Sequence, residues 1–250
     1  MLDGVQADLV VLPELFSSGY FFRSRSDLEE VAETVSSGPT ITFLQEWASR
    51  LDATMVAGLA ERESDSIYNS AVIVEPEGKV TTYRKVHLYY KETELFSPGD
   101  LGFPVVEVGD EDQPSYRLGV MVCFDWYFPE SARSLALKGA DVIAHPSNLV
   151  LPHCPDAMPV RARENHVFTL TANRTGEETV GGESLSFIGT SEICAPDGTI
   201  LQQAGREGDA ILTAEIDPHA ARDRHINRYN DVLGDRRPSM YASSTGDASS

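Results

Sequence analysis

Short apolar runs rich in valine and isoleucine alternate along this chain with longer amphipathic stretches, and few architectures accommodate that rhythm. Such runs form strands buried on both faces, and the amphipathic stretches form helices that cover them, which gives a layered α/β fold. Strands are expected over 8–12, 54–61, 68–75, 79–86, 116–123, 141–144, 167–172, 191–195 and 210–216, and helices over 40–51, 129–138, 158–165 and 218–227. Pro76-Glu77-Gly78 and Pro196-Asp197-Gly198 carry turn chemistry between strand-like runs, so each predicts a hairpin. At 250 residues the chain fits one α/β domain. That domain is expected over 1–241, followed by a disordered polar tail at 242–250 with nothing to bury. Met1 to Gly4 reads as the last turn of a helix, and a strand follows at once from Asp8. An opening strand and helix are therefore expected to be missing.

Composition removes several classes of function. Thirty-nine acidic against twenty basic side chains give a net charge of −19, a field that repels phosphate backbones and anionic lipid heads. Neither a nucleic-acid nor a membrane partner is expected, and no apolar run is long enough to span a bilayer. Lysine appears only at 79, 85, 91 and 138, the other basic residues being arginine, a bias expected of a surface adapted to strong salt. Cys123, Cys154 and Cys194 are odd in number and irregular in spacing, which offers no disulfide framework and points to a reducing cytoplasm. His145, His153 and Cys154 make an irregular set that lacks a fourth ligand at metal-site spacing, so no metal is expected there.

Three segments carry candidate chemistry. Cys123 ends a strand-like run, and Pro129-Glu130-Ser131 opens a helix shortly after it. A thiol at a strand-to-helix turn lies near backbone N–H groups and a helix N-terminus. Leu9 to Leu12 is a buried strand that ends in Pro13 and then the carboxylate of Glu14 among apolar neighbours. Tyr83-Arg84-Lys85-Val86-His87-Leu88 places one of the rare lysines inside a strand-like run. Each has a plainer account on its own: Cys123 as a small core group, Glu14 as a loop or cap residue, Lys85 as a guard of an edge strand.

Taken together and in this order, Leu12-Pro13-Glu14, Tyr83 to Leu88, and Val122-Cys123-Phe124-Asp125 followed by Phe128-Pro129-Glu130 resemble the nitrilase superfamily of carbon–nitrogen hydrolases. The likeness continues through ETELFSPGD at 92–100, GADVIAHPSN at 139–148, RAREN at 161–165, TANRTG at 171–176 and Pro196-Asp197-Gly198. It implies a four-layer α-β-β-α sandwich, here without its first strand and helix. It also implies a Glu-Lys-Cys triad of Glu14, Lys85 and Cys123, a second carboxylate at Glu92 by register with Glu94 as rival, and no metal or organic cofactor. Lys85 and the Phe124 N–H would face developing negative charge. The segment Asn148 to His153, with Trp126, Tyr89 and Tyr90, would line the pocket, although Trp126 and the tyrosines serve equally well as core or interface aromatics.

The implied activity is hydrolysis of a small amide, N-carbamoyl compound or nitrile through a Cys thioester, with ammonia released. Nitrilases of the family usually carry Cys-Trp-Glu, whereas Cys123-Phe124-Asp125 stands closer to the amidase and carbamoyl-hydrolase branches. Two alternatives stand beside it: a catalytically silent binding or structural homologue, and an acyl transferase using the same thioester. The resemblance further implies a homodimer or larger assembly paired through helices 129–138 and 158–165.

Overall fold

The computed structural model describes residues 2–109 and 116–241. β1 (Leu9–Val11) runs parallel to β2 (Thr54–Glu63), and α1 (Arg25–Val31) and α2 (Pro39–Leu51) connect the two. β2 turns back into β3 (Ser66–Val74) and β3 into β4 (Val80–Arg84), forming a sheet ordered β1-β2-β3-β4. A short α3 (Glu92–Leu95) leads to β5 (Val105–Val108), β6 (Tyr116–Val120), α4 (Pro129–Leu137), β7 (Val142–Ser147), α5 (Cys154–Asn165) and β8 (Phe168–Asn173). A hairpin of β9 (Thr175–Val180) and β10 (Glu183–Ile188) follows. β11 (Glu192–Cys194) and β12 (Ile200–Gln203) then complete a second sheet ordered β12-β11-β8-β7-β6-β5. A ribbon of β13 (His225–Asn227) and β14 (Asn230–Asp231) comes last.

The two-residue period of the central strands sets the layers. Met55, Ala57 and Leu59 of β2, with Val72 and Val74 of β3, pack on Ile41, Leu44 and Ala48 of α2. Val56, Ala71 and Ile73 belong to the opposite face and share a core with Leu118, Val120, Val142 and Ala144 of the second sheet. Ala132, Leu135 and Ala136 of α4 and Met158 of α5 close that core from the far side. The order is helix, sheet, sheet, helix, the expected four layers. α4 and α5 are the crossovers that let β6, β7 and β8 run parallel. Among the described residues no helix is long and apolar enough to cross a membrane.

Both expected hairpins form, with Gly78 at φ 88° and Gly198 at φ 85° in their turns. Other expectations need correction. The helix expected from 158 begins at Cys154, because Pro155 lies in the first turn, where an N–H has no partner to lose. Residues 210–216 alternate like a strand but have no ladder partner among the described residues. Their first half instead walls a cavity of about 430 Å³ opposite β1. The helix expected over 218–227 is a 3₁₀ turn at Pro218–Arg222 followed by β13. Only Ala221 of that turn is buried, so no apolar stripe holds a longer helix down. Leu2 to Val5 form a turn, with Gly4 at φ 84°, rather than a helix end. The expected tail at 242–250 lies outside the described residues.

Candidate active site

Glu14, Lys85 and Cys123 each lie just after a strand, β1, β4 and β6, and Glu92 lies on α3. Glu14 follows β1, and its loop lies against β2 at Gly58. The Gly58 N–H donates to the Pro13 carbonyl at 3.1 Å, and the Phe16 N–H donates to the Gly58 carbonyl at 3.1 Å. A Cβ on Gly58 would stand 2.5 Å from Glu14 Cα, so only glycine admits this approach. Lys85 follows β4. Its N–H donates to the Asn69 carbonyl at 2.8 Å, and its carbonyl accepts the Gly99 N–H at 2.9 Å. Its Nζ donates to Glu14 Oε1 at 2.7 Å and to Glu92 Oε1 at 2.8 Å. Lys85 is wholly buried, and the two carboxylates are nearly so.

Cys123 opens a 3₁₀ turn, Cys123–Tyr127, in the left-handed region at φ 43°. The first N–H groups of such a turn, that of Phe124 among them, have no carbonyl partner inside it. Buried Asp125 fixes the turn. Its Oδ2 accepts the Tyr83 hydroxyl at 2.5 Å and the Val122 N–H at 2.9 Å, and its Oδ1 accepts the His87 N–H at 3.2 Å. His87 Nδ1 lies 2.8 Å from the same Oδ1. One carboxylate thus ties the segment carrying Lys85 to the turn carrying Cys123. On the far side His145 Nε2 is 2.9 Å from the Cys123 carbonyl, which requires the ring to donate there, and Nδ1 is 3.0 Å from Thr171 Oγ1.

Electrostatics follow from this crowding. Burial alone would lower the Lys85 ammonium, but the charges of Glu14 and Glu92 override it and hold the group well above its ordinary value. Burial also raises Glu92, against the pull of Lys85. Burial and then the Glu14 charge push the Cys123 thiol well up, while Lys85 and a hydrogen bond from the Asn148 backbone oppose this. Such a shift favours the neutral thiol, and a thiol in such surroundings acts as a nucleophile only where a neighbouring group takes its proton. Burial lowers His145 to about 4, so its ring is neutral.

The structure sorts the sequence candidates. Glu92, and not exposed Glu94, is the carboxylate at Lys85. The Phe124 ring packs against Tyr89, with centroids 5.0 Å apart, while Tyr90 lies largely exposed. Asn148 is at the site, but its amide nitrogen is engaged by the Glu14 carbonyl at 2.8 Å. Trp126 belongs to the apolar core beside the second sheet, the packing role its sequence left open. His145 is committed to Thr171 and Cys123, and His153 is exposed, so these two do not form a ligand set.

Sequence reasoning missed Tyr20, whose hydroxyl donates to Glu92 Oε1 at 2.5 Å, and Asn69, whose amide donates to Glu14 Oε1 at 2.7 Å. A readable signal existed for Asn69, an amide side chain inside a strand-like run that ends in Ala71-Val72-Ile73-Val74. Beside Glu92 a cavity of about 150 Å³ opens among Tyr20, Phe21, Tyr89, Tyr90 and Leu185.

A four-layer sandwich enclosing a buried carboxylate, ammonium and thiol is a hydrolase-like arrangement, and comparison with known proteins agrees. The family model described as "Carbon-nitrogen hydrolase" matches residues 2–225. A protein named nitrilase from Pyrococcus abyssi is 50% identical over 235 residues, covering 94% of this chain and 86% of the relative. The N-carbamoylputrescine amidase of Arabidopsis thaliana is 30% identical over 255 residues, covering 94% and 83%. The crystal structure of a carbon–nitrogen hydrolase from Helicobacter pylori G27 superposes with a TM-score of 0.82 at 29% identity, covering 94% of this chain and 85% of that one. This chain belongs to the carbon–nitrogen hydrolase family, within the nitrilase superfamily.

Proposed function

We propose that the protein hydrolyses a small amide or N-carbamoyl compound through a thioester on Cys123, releasing ammonia. The observation that carries the reading is the pair of bonds from Lys85 Nζ to Glu14 and Glu92, 2.7 and 2.8 Å, in a buried cluster whose charges act on the Cys123 thiol. In this reading Cys123 Sγ attacks the substrate carbonyl carbon while its proton passes to Glu14. Lys85 and the Phe124 N–H stabilise the oxyanion. As the C–N bond breaks, the electron pair goes to nitrogen, Glu14 returns the proton, and ammonia leaves. Water then attacks the thioester, giving its proton to Glu14. Collapse frees the carboxylic or carbamic acid and reprotonates the sulfur. Glu92 keeps Lys85 charged and in place.

The small cavity beside Glu92 supports a small substrate, and the name of the Arabidopsis relative supports carbamoyl compounds. The name of the Pyrococcus relative brings nitriles into the same test. Free, buried Cys123, Cys154 and Cys194 support a reducing, cytoplasmic setting. Exposed apolar side chains at Leu137 of α4 and Val160 of α5 support a homodimer paired through those helices.

The test is an ammonia-release assay across amides, N-carbamoyl compounds and nitriles with the native chain and Cys123→Ala. Release by the native chain alone supports the reading. Equal release by both, or none from any compound, contradicts it. Turnover that appears only when an amine acceptor is added favours acyl transfer instead.

A further inference from the structure

We propose that Asn69 is a positioning residue that anchors one oxygen of Glu14 and leaves the other as the proton carrier. The proposal rests on the reading of Glu14 as the general base. Asn69 is fully buried in β3, between the strands that carry the site. Its side-chain Nδ2 donates to Glu14 Oε1 at 2.7 Å, the oxygen that also accepts Lys85 Nζ at 2.7 Å. Only the amide nitrogen satisfies this contact, because an amide oxygen turned toward the carboxylate would repel it. The backbone carbonyl of the same residue accepts the Lys85 N–H at 2.8 Å. One residue therefore sets both the base and the ammonium beside it.

The two carboxylates at Lys85 differ in what remains open. Glu92 accepts Lys85 and Tyr20 on Oε1 and the Tyr89 N–H on Oε2 at 3.3 Å, so both its oxygens are engaged. Glu14 carries two donors on Oε1 and, among the described residues, has no partner on Oε2, which is buried. A base needs an oxygen free to take a proton, and Oε2 of Glu14 is that oxygen. Asn69 itself leaves Oδ1 buried without a partner among the described residues, a cost set against the hydrogen bond it gives Glu14.

Asn69→Leu keeps the volume and removes the donor. The charged and titratable groups facing Glu14 and its cluster, namely Lys85 after β4, Cys123 at its turn, Glu92 on α3 and Tyr20 in the loop after β1, stay as they are. The expected result is a kcat lower by about 10- to 100-fold with KM within about threefold, because the base is displaced while the substrate's binding contacts remain. Asn69→Ser, smaller and accommodated by water, is expected to lower kcat in the same way. A role in packing alone would lower Tm and leave the kcat of the folded enzyme in place. Wild-type kcat in either folded variant would overturn the proposal. A wild-type enzyme that forms no acyl adduct on Cys123 would instead overturn the reading of Glu14 on which it rests.

Discussion

Lys85 is the residue on which the site's electrostatics turn. Without it two carboxylates face each other in a buried space, and in the proposed mechanism the oxyanion loses its ammonium. Lys85→Met is expected to lower kcat at least 10²- to 10³-fold, as loss of an oxyanion donor does elsewhere, and steady-state kinetics on any substrate that releases ammonia checks it. Some loss of stability should accompany it, because buried charge is left unpaired. Glu192, on β11 of the second sheet, makes a second case. Burial raises its carboxyl to about 7, Gln203 donates to it, and among the described residues one of its oxygens has no partner. A carboxyl raised on folding binds protons more tightly in the native state, so its cost to stability grows as pH climbs from about 4.5 toward 7 and is then constant. Glu192→Gln is expected to raise Tm relative to the parent at pH 8 and to change it little at pH 5. A thermal shift difference independent of pH would contradict this.

The elements show what sequence makes visible and what it hides. Strands β2, β3 and β7 announce themselves because both faces are buried over most of their length and each carries a short apolar run, at 55–60, 71–74 and 142–144. The positions of Glu14, Lys85 and Cys123 were legible for a related reason, since each sits just after such a run ends. The hairpin β9–β10 was not legible. Its residues are mostly polar and exposed, and it is held from outside, by Glu178 accepting the Tyr20 and Phe21 N–H groups, the latter at 2.7 Å. That contact spans well over a hundred residues of chain and leaves no local trace. Tyr20 was missed with it, and Gly58 was missed because close approach of one backbone to another is invisible in a single strand. Gly58→Ala is expected to cut kcat/KM by more than tenfold by displacing Glu14, with a smaller fractional loss in Tm. Asp125→Ala strands the Tyr83 hydroxyl and the Val122 and His87 N–H groups. Chemical denaturation should report a loss of at least about 2 kcal/mol, and an unchanged midpoint would show that Asp125 does not hold the turn.

At the scale of the whole molecule, charge and assembly dominate. A net charge of −19 opposes compaction, and shortening the Debye length from about 10 Å at 0.1 M salt to about 3 Å at 1 M relieves it. Tm is expected to rise across that range, and a flat or falling Tm would remove the case for adaptation to salt. A dimer through α4 and α5 predicts twice the 27.4 kDa chain mass by light scattering, reduced toward one chain by Leu137→Glu with Val160→Glu. All of this surrounds a single chemical claim, that the sulfur of Cys123 carries the substrate's acyl group. Rapid acid quenching followed by intact and peptide mass spectrometry during turnover of an amide tests it. The account predicts an acyl mass on the peptide containing Cys123, lost in Cys123→Ala and accumulating in Glu14→Gln where deacylation is slowed. Turnover that leaves Cys123 unmodified at every quench time would contradict it.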